Sequence, residues 1–174
     1  MSDPDLVFRG RKFRVERRAV PDRDGRERLY DLVVHPGAAV VLPILDDGRV
    51  LLTRNYRFAV DRELLELPAG TLEPPEPPID CARRELAEET GYRAARVEPL
   101  LTFYSTPGIC NEHMHAFVAT GLSPGPTALE PGERIAAAPM TWPETLAAIR
   151  NGRIVDAKTL VTLLYYDAFA QSPR

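Results

Sequence analysis

The chain has 174 residues, 44% of them hydrophobic and 27% charged, which fits one folded domain and excludes a wholly disordered chain. The longest nearly apolar run, 38–45, is far shorter than the roughly 20 residues of a membrane span, and the acidic N-terminus lacks signal-peptide character. The formal net charge is −3, and no basic stripe with interleaved aromatic residues indicates nucleic-acid binding. Cys81 and Cys110 form no metal-binding motif, so we expect free thiols in a reducing, cytoplasmic compartment.

The first part of the chain predicts strands joined by turns. Alternating residues over 13–17 and the run 29–34 predict a hairpin or small sheet. Apolar residues 38–42 predict a buried strand, and Asp46-Asp47-Gly48 predicts a hairpin turn that pairs it with a strand over 50–57. A further strand over 64–67 runs into the sequence Pro68-Ala69-Gly70.

The second part predicts helices separated by strands. Residues 71–78 form a proline-rich loop, and apolar residues at intervals of three or four predict a helix over 79–90, which Gly91 ends. The remaining predicted elements are strands around 97–104 and 115–119, a loop over 123–131, and helices over 143–151 and 157–170. Asp156 is a plausible N-cap for the last helix. This order predicts a mixed sheet flanked by helices.

Three carboxylates lie on one face of the predicted helix. Glu85, Glu88 and Glu89 fall together because each helical residue advances by about 100°. Like charges at this spacing repel each other, and a helix C-terminus disfavours negative charge. A hard divalent cation such as Mg²⁺ would relieve this repulsion, since it prefers oxygen ligands. The other interpretation, a solvated acidic helix face, is the commoner explanation of a charge run.

The segment 70–92 contains a longer pattern. It reads Gly70, five residues, Glu76, seven residues, Arg84-Glu85-Leu86, one residue, Glu88-Glu89, one residue and Gly91-Tyr92. This spacing resembles the Nudix box. The resemblance implies an α+β fold of the α/β/α sandwich type, with a mixed β-sheet flanked by helices and a small N-terminal antiparallel sheet. It divides the chain into an N-terminal β segment, residues 1–36, expected to dimerise, and a Nudix hydrolase domain, residues 37–174.

The same resemblance implies roles for residues of the box. The expected cofactor is Mg²⁺, or Mn²⁺ in its place, as two or three ions. The implied metal ligands are the carbonyl of Ala69 and the side chains of Glu85, Glu88 and Glu89. The residues with implied structural roles in the box are Gly70, Glu76, Arg84 and Gly91.

A second resemblance concerns the substrate. Pro107 lies 15 residues beyond Tyr92, and a proline at this distance resembles the marker of the ADP-ribose pyrophosphatase subgroup. The substrate-binding residues that follow from this resemblance are Asp31, Arg57, Pro107, Gly108 and Glu112. The candidates for the catalytic base are Glu133, Glu112 and Glu88, with Glu130 in the same loop as Glu133.

The resemblance implies a Mg²⁺-dependent pyrophosphohydrolase that cleaves ADP-ribose or a related nucleoside diphosphate sugar to NMP and a sugar phosphate. GDP-mannose or another nucleoside diphosphate derivative is the alternative substrate. A sensor that binds ADP-ribose without hydrolysing it is a third hypothesis, which the intact box disfavours. The expected partners are a small nucleotide and a second copy in a homodimer, with no nucleic acid and no membrane.

Overall fold

The computed structural model describes residues 5–129 and 131–170. The strands are β1 (Asp5–Arg9), β2 (Arg14–Pro21), β3 (Glu27–Val34), β4 (Ala38–Pro43), β5 (Val50–Arg57), β6 (Arg62–Glu66), β7 (Ala69–Thr71), β8 (Tyr92–Tyr104), β9 (His113–Pro124) and β10 (Ile135–Met140). The helices are α1 (Pro78–Thr90), α2 (Trp142–Arg150) and α3 (Ala157–Tyr165), and a π-helical turn over Tyr166–Ala170 follows α3. No helix in the described residues is long and apolar enough to cross a membrane.

The strands form three sheets. The N-terminal sheet is antiparallel, with the order β1-β2-β3. The central sheet has the order β7-β4-β9-β8, in which β4 and β9 run parallel and the other pairs antiparallel. A third, antiparallel sheet has the order β10-β5-β6. The mixed sheet and the small N-terminal sheet confirm the predicted α+β fold.

Strand β4 lies at the centre of the sandwich, and each of its residues is buried. Because successive side chains of a strand point to opposite faces, its residues enter two different cores. Ala39 and Val41 pack with Leu86 of α1. Val40 and Leu42 pack in a second core with residues of β5, α2 and α3. Helices therefore cover both sides of the central sheet, as the α/β/α prediction required.

Local sequence fixes both ends of α1. Pro77 is the N-cap in an extended conformation, and Pro78 occupies the first turn, where its missing N–H costs no hydrogen bond. Gly91 ends the helix in the left-handed region, with φ of 75°, and its N–H donates to the Ala87 carbonyl. A Cβ at position 91 would lie 2.5 Å from the Gly125 carbonyl oxygen. Both the conformation and the close approach of this loop therefore require glycine.

The predicted hairpin between the strands over 38–42 and 50–57 is wrong. The turn does reverse the chain, since the Gly48 N–H donates to the Leu45 carbonyl over 2.8 Å. On either side of this turn, Ile44 and Val50 form one isolated bridge. Beyond this bridge, β5 pairs with β6 and β10 and not with β4. Both edges of β4 are occupied by β7 and β9. Turn residues thus determine the reversal, whereas the strands available at each edge determine the pairing.

Candidate active site

Helix α1 and strand β7 form one wall of a cleft of about 420 Å³. Glu85, Glu88 and Glu89 of α1 line it together with Ala69 and Gly70 of β7. The Glu89 side chain is buried, and its carboxylate accepts a 3.3 Å hydrogen bond from the Ala69 N–H. The apolar stripe of α1 packs against the central sheet, which turns the carboxylates toward the cleft.

Gly70 brings β7 against α1 at this point. A Cβ at position 70 would overlap the carboxylate of Glu85. The atoms that the Cβ would meet are the three carboxylate atoms at the end of the Glu85 side chain, so an alanine here would push this carboxylate out of its position in the cleft. Glycine at this first position of the motif is therefore explained by the close approach of the backbone to a carboxylate.

Arg84 holds the proline-rich loop and two of the carboxylates together. Its guanidinium donates to both oxygens of Glu76, at 2.9 and 3.0 Å. The same group donates to Glu85 over 2.7 Å and to Glu88 over 3.2 Å, and to the Thr71 carbonyl. The hydrogen bonds from Arg84 lower the pKa of Glu76 below its ordinary value. Arg84 thus fixes the loop on α1 and orients the acidic wall.

Burial and mutual repulsion act on the two carboxylates deepest in the wall. Burial raises the pKa of Glu89 to about 8, and the charge of Glu85 adds to this rise while Arg57 opposes it. Burial also raises the pKa of Glu85, against the lowering effect of Arg84. Negative charge here is therefore costly in the protein alone, and a cation in the cleft would offset that cost.

The donor chemistry of the wall fits Mg²⁺ or Mn²⁺, because the carboxylates and the Ala69 carbonyl offer hard oxygen atoms. Among residues 5–129 and 131–170, no three His, Cys, Asp or Glu side chains already converge as metal ligands do. Glu85 and Glu88 are instead hydrogen-bonded to Arg84. Each bond uses one carboxylate oxygen, so metal binding would draw on the second oxygen of Glu85 and of Glu88 or would replace the bond to Arg84.

Basic side chains also line the first cleft. Arg57, at the end of β5, and Arg11 and Lys12, between β1 and β2, line the same cleft. Glu133 lies there too, and its charge contributes to the raised pKa of both Glu85 and Glu89. Glu133 is thus the one candidate base outside α1 that lies in this cleft, whereas Glu130 falls outside the described residues.

A second cleft of about 300 Å³ adjoins the first and shares Lys12, Arg57 and β7 with it. Glu112 lines this second cleft, with its carboxylate 3.5 Å from Nδ1 of His35. Of the other predicted substrate contacts, only Arg57 lines the first cleft. Pro107 and Gly108 are exposed in a turn outside both clefts.

Asp31 lies on the exposed N-terminal sheet, where it accepts two hydrogen bonds from Arg17 at 2.7 and 3.0 Å. It lines neither cleft of its own chain. The substrate-contacting roles of Asp31, Pro107 and Gly108 stay predictions.

Sequence reasoning missed two charged residues beside the clefts. Glu66, buried at the end of β6, and Lys158, in the first turn of α3, are hydrogen-bonded over 2.5 Å. Glu66 is the single acid in the run Leu64-Leu65-Glu66-Leu67, and a charge inside a buried strand is a signal of a paired group. No local pattern joins it to Lys158, because 92 positions separate them.

The chain is similar to known proteins over most of its length. It is 35% identical to the methanol dehydrogenase activator of Bacillus methanolicus and 32% identical to the ADP-ribose pyrophosphatase of Bacillus subtilis. Each comparison covers 92% of this chain and 88% of the relative. The GDP-mannose pyrophosphatase of Cronobacter sakazakii is 37% identical over 73% of this chain and 71% of its own.

The fold comparison agrees with the sequence comparison. The crystal structure of an ADP compounds hydrolase superposes with a TM-score of 0.83, covering 95% of this chain and 90% of that one at 24% identity, and so supports the fold. The family model of the NUDIX domain matches residues 34–161, which include all the residues that line the first cleft apart from Arg11 and Lys12. The chain therefore belongs to the Nudix hydrolase family.

Proposed function

We propose that the chain is a Mg²⁺- or Mn²⁺-dependent pyrophosphohydrolase that cleaves the diphosphate of ADP-ribose or a related nucleoside diphosphate sugar to NMP and a sugar phosphate. One observation carries the proposal: the carboxylates of α1 line the same cleft as the cationic side chains of Arg57 and Lys12. Such a cleft suits a diphosphate, because the cations can pair with its oxygens, and the carboxylates would hold the divalent ions that neutralise its charge.

Each part of the cleft has a separate task in this reaction. Divalent ions, when bound, would supply charge neutralisation and an acidified water. Glu85, Glu88 and Glu89 would hold these ions, with the Ala69 carbonyl as a further oxygen ligand. Arg57 would orient the diphosphate from the end of β5. Most of the acceleration then comes from positioning and fixed charge.

Glu133 is the base that the geometry favours. It lies in the first cleft on a different segment from the carboxylates of α1, so it can accept a proton while those carboxylates hold metal. Glu88 is one of the implied metal ligands, and Glu112 lies in the second cleft. Glu133→Gln is expected to lower kcat by about a hundredfold or more with little change in KM.

The names of the relatives favour a nucleoside diphosphate sugar as the substrate, but they differ in its nucleobase and in its sugar. The proteins at 32% and 37% identity are named an ADP-ribose pyrophosphatase and a GDP-mannose pyrophosphatase. GDP-mannose is therefore the second candidate substrate. A dinucleoside polyphosphate, another nucleoside diphosphate derivative, completes the substrate panel.

The test is NMP release from this panel in the presence of Mg²⁺. We expect the highest kcat/KM for ADP-ribose, and Glu89→Gln is expected to lose about a thousandfold or more, because a deep oxygen ligand becomes a neutral amide. Glu98→Gln, the same change at an exposed position of β8, serves as the matched control and should retain activity. Tight binding of ADP-ribose without NMP release from any compound would contradict hydrolysis and favour a sensor.

A further inference from the structure

Glu66 is buried where β6 ends, with 1% of its surface exposed. Its two oxygens accept hydrogen bonds from Nε and Nη2 of Arg57, at 2.8 and 2.5 Å. The second oxygen also accepts the 2.5 Å hydrogen bond from Nζ of Lys158. One buried carboxylate thus joins a cation of the catalytic cleft to a cation on α3.

The N-terminus of α3 holds Lys158 in place. Asp156 lies 2.9 Å from Nζ of Lys158 through one carboxylate oxygen. Its other oxygen caps α3 by accepting from the N–H and the hydroxyl of Thr159. The Thr159 hydroxyl oxygen in turn accepts a 2.9 Å hydrogen bond from the N–H of Leu67, the residue after Glu66. The bonds close a ring that ties the β6 end to the helix.

Stability alone gives a poor account of this cluster. Removing several charges from water costs more than an apolar cluster of the same volume would, so a buried network of this kind contributes little net stability. The network instead determines geometry, because a carboxylate–guanidinium pair with two hydrogen bonds fixes the plane of the Arg57 guanidinium. The bonds to Glu66 use Nε and Nη2, so Nη1 is the guanidinium nitrogen that Glu66 does not engage.

Arg57 is the residue of this cluster that lines the first cleft, whereas Asp156 and Lys158 line the second cleft. Its side chain is 40% exposed, whereas those of Lys158 and Asp156 are each 17% exposed. Arg57 lines both clefts, at the boundary that they share. A guanidinium that is held rigidly loses little entropy when it binds a phosphate oxygen.

We propose that Glu66, braced by Lys158, is a positioning residue that fixes the Arg57 guanidinium for the diphosphate of the substrate. The assignment rests on the proposed function, since it concerns the residue that would orient the diphosphate. Glu66 acts through Arg57 and touches no substrate. A substitution of Glu66 therefore lowers activity only to the extent that Arg57 loses its orientation.

The test is a double-mutant cycle with the full-length protein, Mg²⁺ and ADP-ribose. Glu66→Gln keeps the size of the side chain but removes its charge, and it is expected to lower kcat/KM by about ten- to a hundredfold. Arg57→Ala is expected to lose at least as much. Adding Glu66→Gln to Arg57→Ala should change kcat/KM by less than about threefold, because the residue on which Glu66 acts is already gone.

Lys158 provides a second, milder set of variants. Lys158→Gln removes the brace and leaves the Arg57–Glu66 pair, so we expect a loss in kcat/KM of about threefold to tenfold. Lys158→Arg, which can still donate to Glu66, should recover most of it. This series decides the question even where Glu66→Gln fails to fold, because equal kcat/KM for Lys158→Gln, Lys158→Arg and the wild type would overturn the assignment.

The matched control is Glu16→Gln in the N-terminal sheet. Glu16 is also buried, and it also accepts from two cations, Arg14 and Arg18, but it lies outside both clefts. Its variant should keep wild-type kinetics. A loss of kcat/KM in Glu66→Gln that persists in the Arg57→Ala background would show a structural role and overturn the assignment.

The wild-type measurement separates the two proposals. No NMP release from any compound of the panel by the wild type would overturn the proposed function and this assignment with it. Wild-type hydrolysis together with unchanged kcat and KM in Glu66→Gln would overturn the assignment alone.

Discussion

Glu89 is the most buried of the three carboxylates on α1, and its contacts explain why. It lies between the backbone of Ala69 and the charges of Glu85 and Arg57. Only Arg57 and the Ala69 N–H favour its ionised form. A site that binds cations benefits from this arrangement, because the free energy lost on burying the charge is recovered when the ion binds.

The raised pKa of Glu89 predicts a dependence of stability on pH. A carboxyl whose pKa rises from 4.5 to about 8 on folding binds more protons in the folded chain between these values. The free energy of unfolding therefore falls as pH rises through this window, and Glu89→Gln removes that part of the fall. Urea denaturation in EDTA at several values from about pH 5 to about pH 8 measures the difference between the two proteins.

The direction of this difference is the decisive result. Glu89→Gln should become more stable relative to the wild type as pH rises, whereas Glu98→Gln, at an exposed position, should follow the wild type. Wild-type and Glu89→Gln curves that run parallel across the window would show that Glu89 titrates in its ordinary range.

Residues of the site could be predicted from sequence where a helix or a turn fixes their spacing. The box places Glu85, Glu88 and Glu89 on one face of α1, and the structure brings all three to the cleft. The pair of Glu66 and Lys158 could not be predicted from sequence, because the two residues meet only when α3 packs against the end of β6.

At the scale of elements, the end of α1 decides where the carboxylates lie. The N–H of Ala128 donates to the carbonyl of Glu88 over 3.0 Å, so the loop after β9 rests on the last turn of the helix. Gly91 permits this contact by providing a left-handed residue without a Cβ. The helix end and the loop therefore form one unit.

Gly91→Ala is expected to lower the free energy of unfolding by about 2–4 kcal/mol, from the left-handed conformation and from the collision with the Gly125 carbonyl. Gly152→Ala is the matched control. Gly152 has nearly the same φ, 73°, but a Cβ there meets nothing within 4 Å. It should cost only about 1–2 kcal/mol. Thermal or urea denaturation gives both values, and equal losses would show that the contact with Gly125 is unimportant.

Elements with a strong sequence pattern were predictable, and elements without one were not. The buried strand β4 and the helix α1 follow from their apolar residues. Strand β10 did not, because its sequence Ile-Ala-Ala-Ala-Pro-Met has few residues that favour strands. It is a strand because β5 offers it an edge. The last predicted helix, 157–170, is α-helical only to Tyr165 and continues as a π-helical turn.

At the scale of the whole molecule, the N-terminal sheet exposes many apolar side chains. Leu6, Phe8, Leu29 and Tyr30 are each more than half exposed. Exposed apolar residues clustered on one sheet are typical of a surface that a partner covers. They support the prediction that the segment 1–36 dimerises.

Leu29→Arg tests this prediction, because it places a charge where Leu29 is 68% exposed on β3. We expect a wild-type dimer and at least a tenfold rise in its dissociation constant in the variant, measured by sedimentation equilibrium. Leu164→Arg, at an exposed position of α3, is the control and should leave the dimer intact. A monomeric wild type at about 0.1 mM, in the weak range of protein association, would refute the prediction.

The cleft lies on a seam between separately hydrogen-bonded layers. Its acidic wall belongs to α1 and the central sheet, Arg57 belongs to the third sheet, and Lys12 lies in the turn that joins β1 and β2 of the N-terminal sheet. A diphosphate bound by all of these residues would link the three sheets through one ligand. Ligand binding would therefore raise the free energy of unfolding of the whole chain. Amide hydrogens outside the cleft, in β2 and β10, would exchange more slowly once the cleft is filled, and unfolding would become more cooperative.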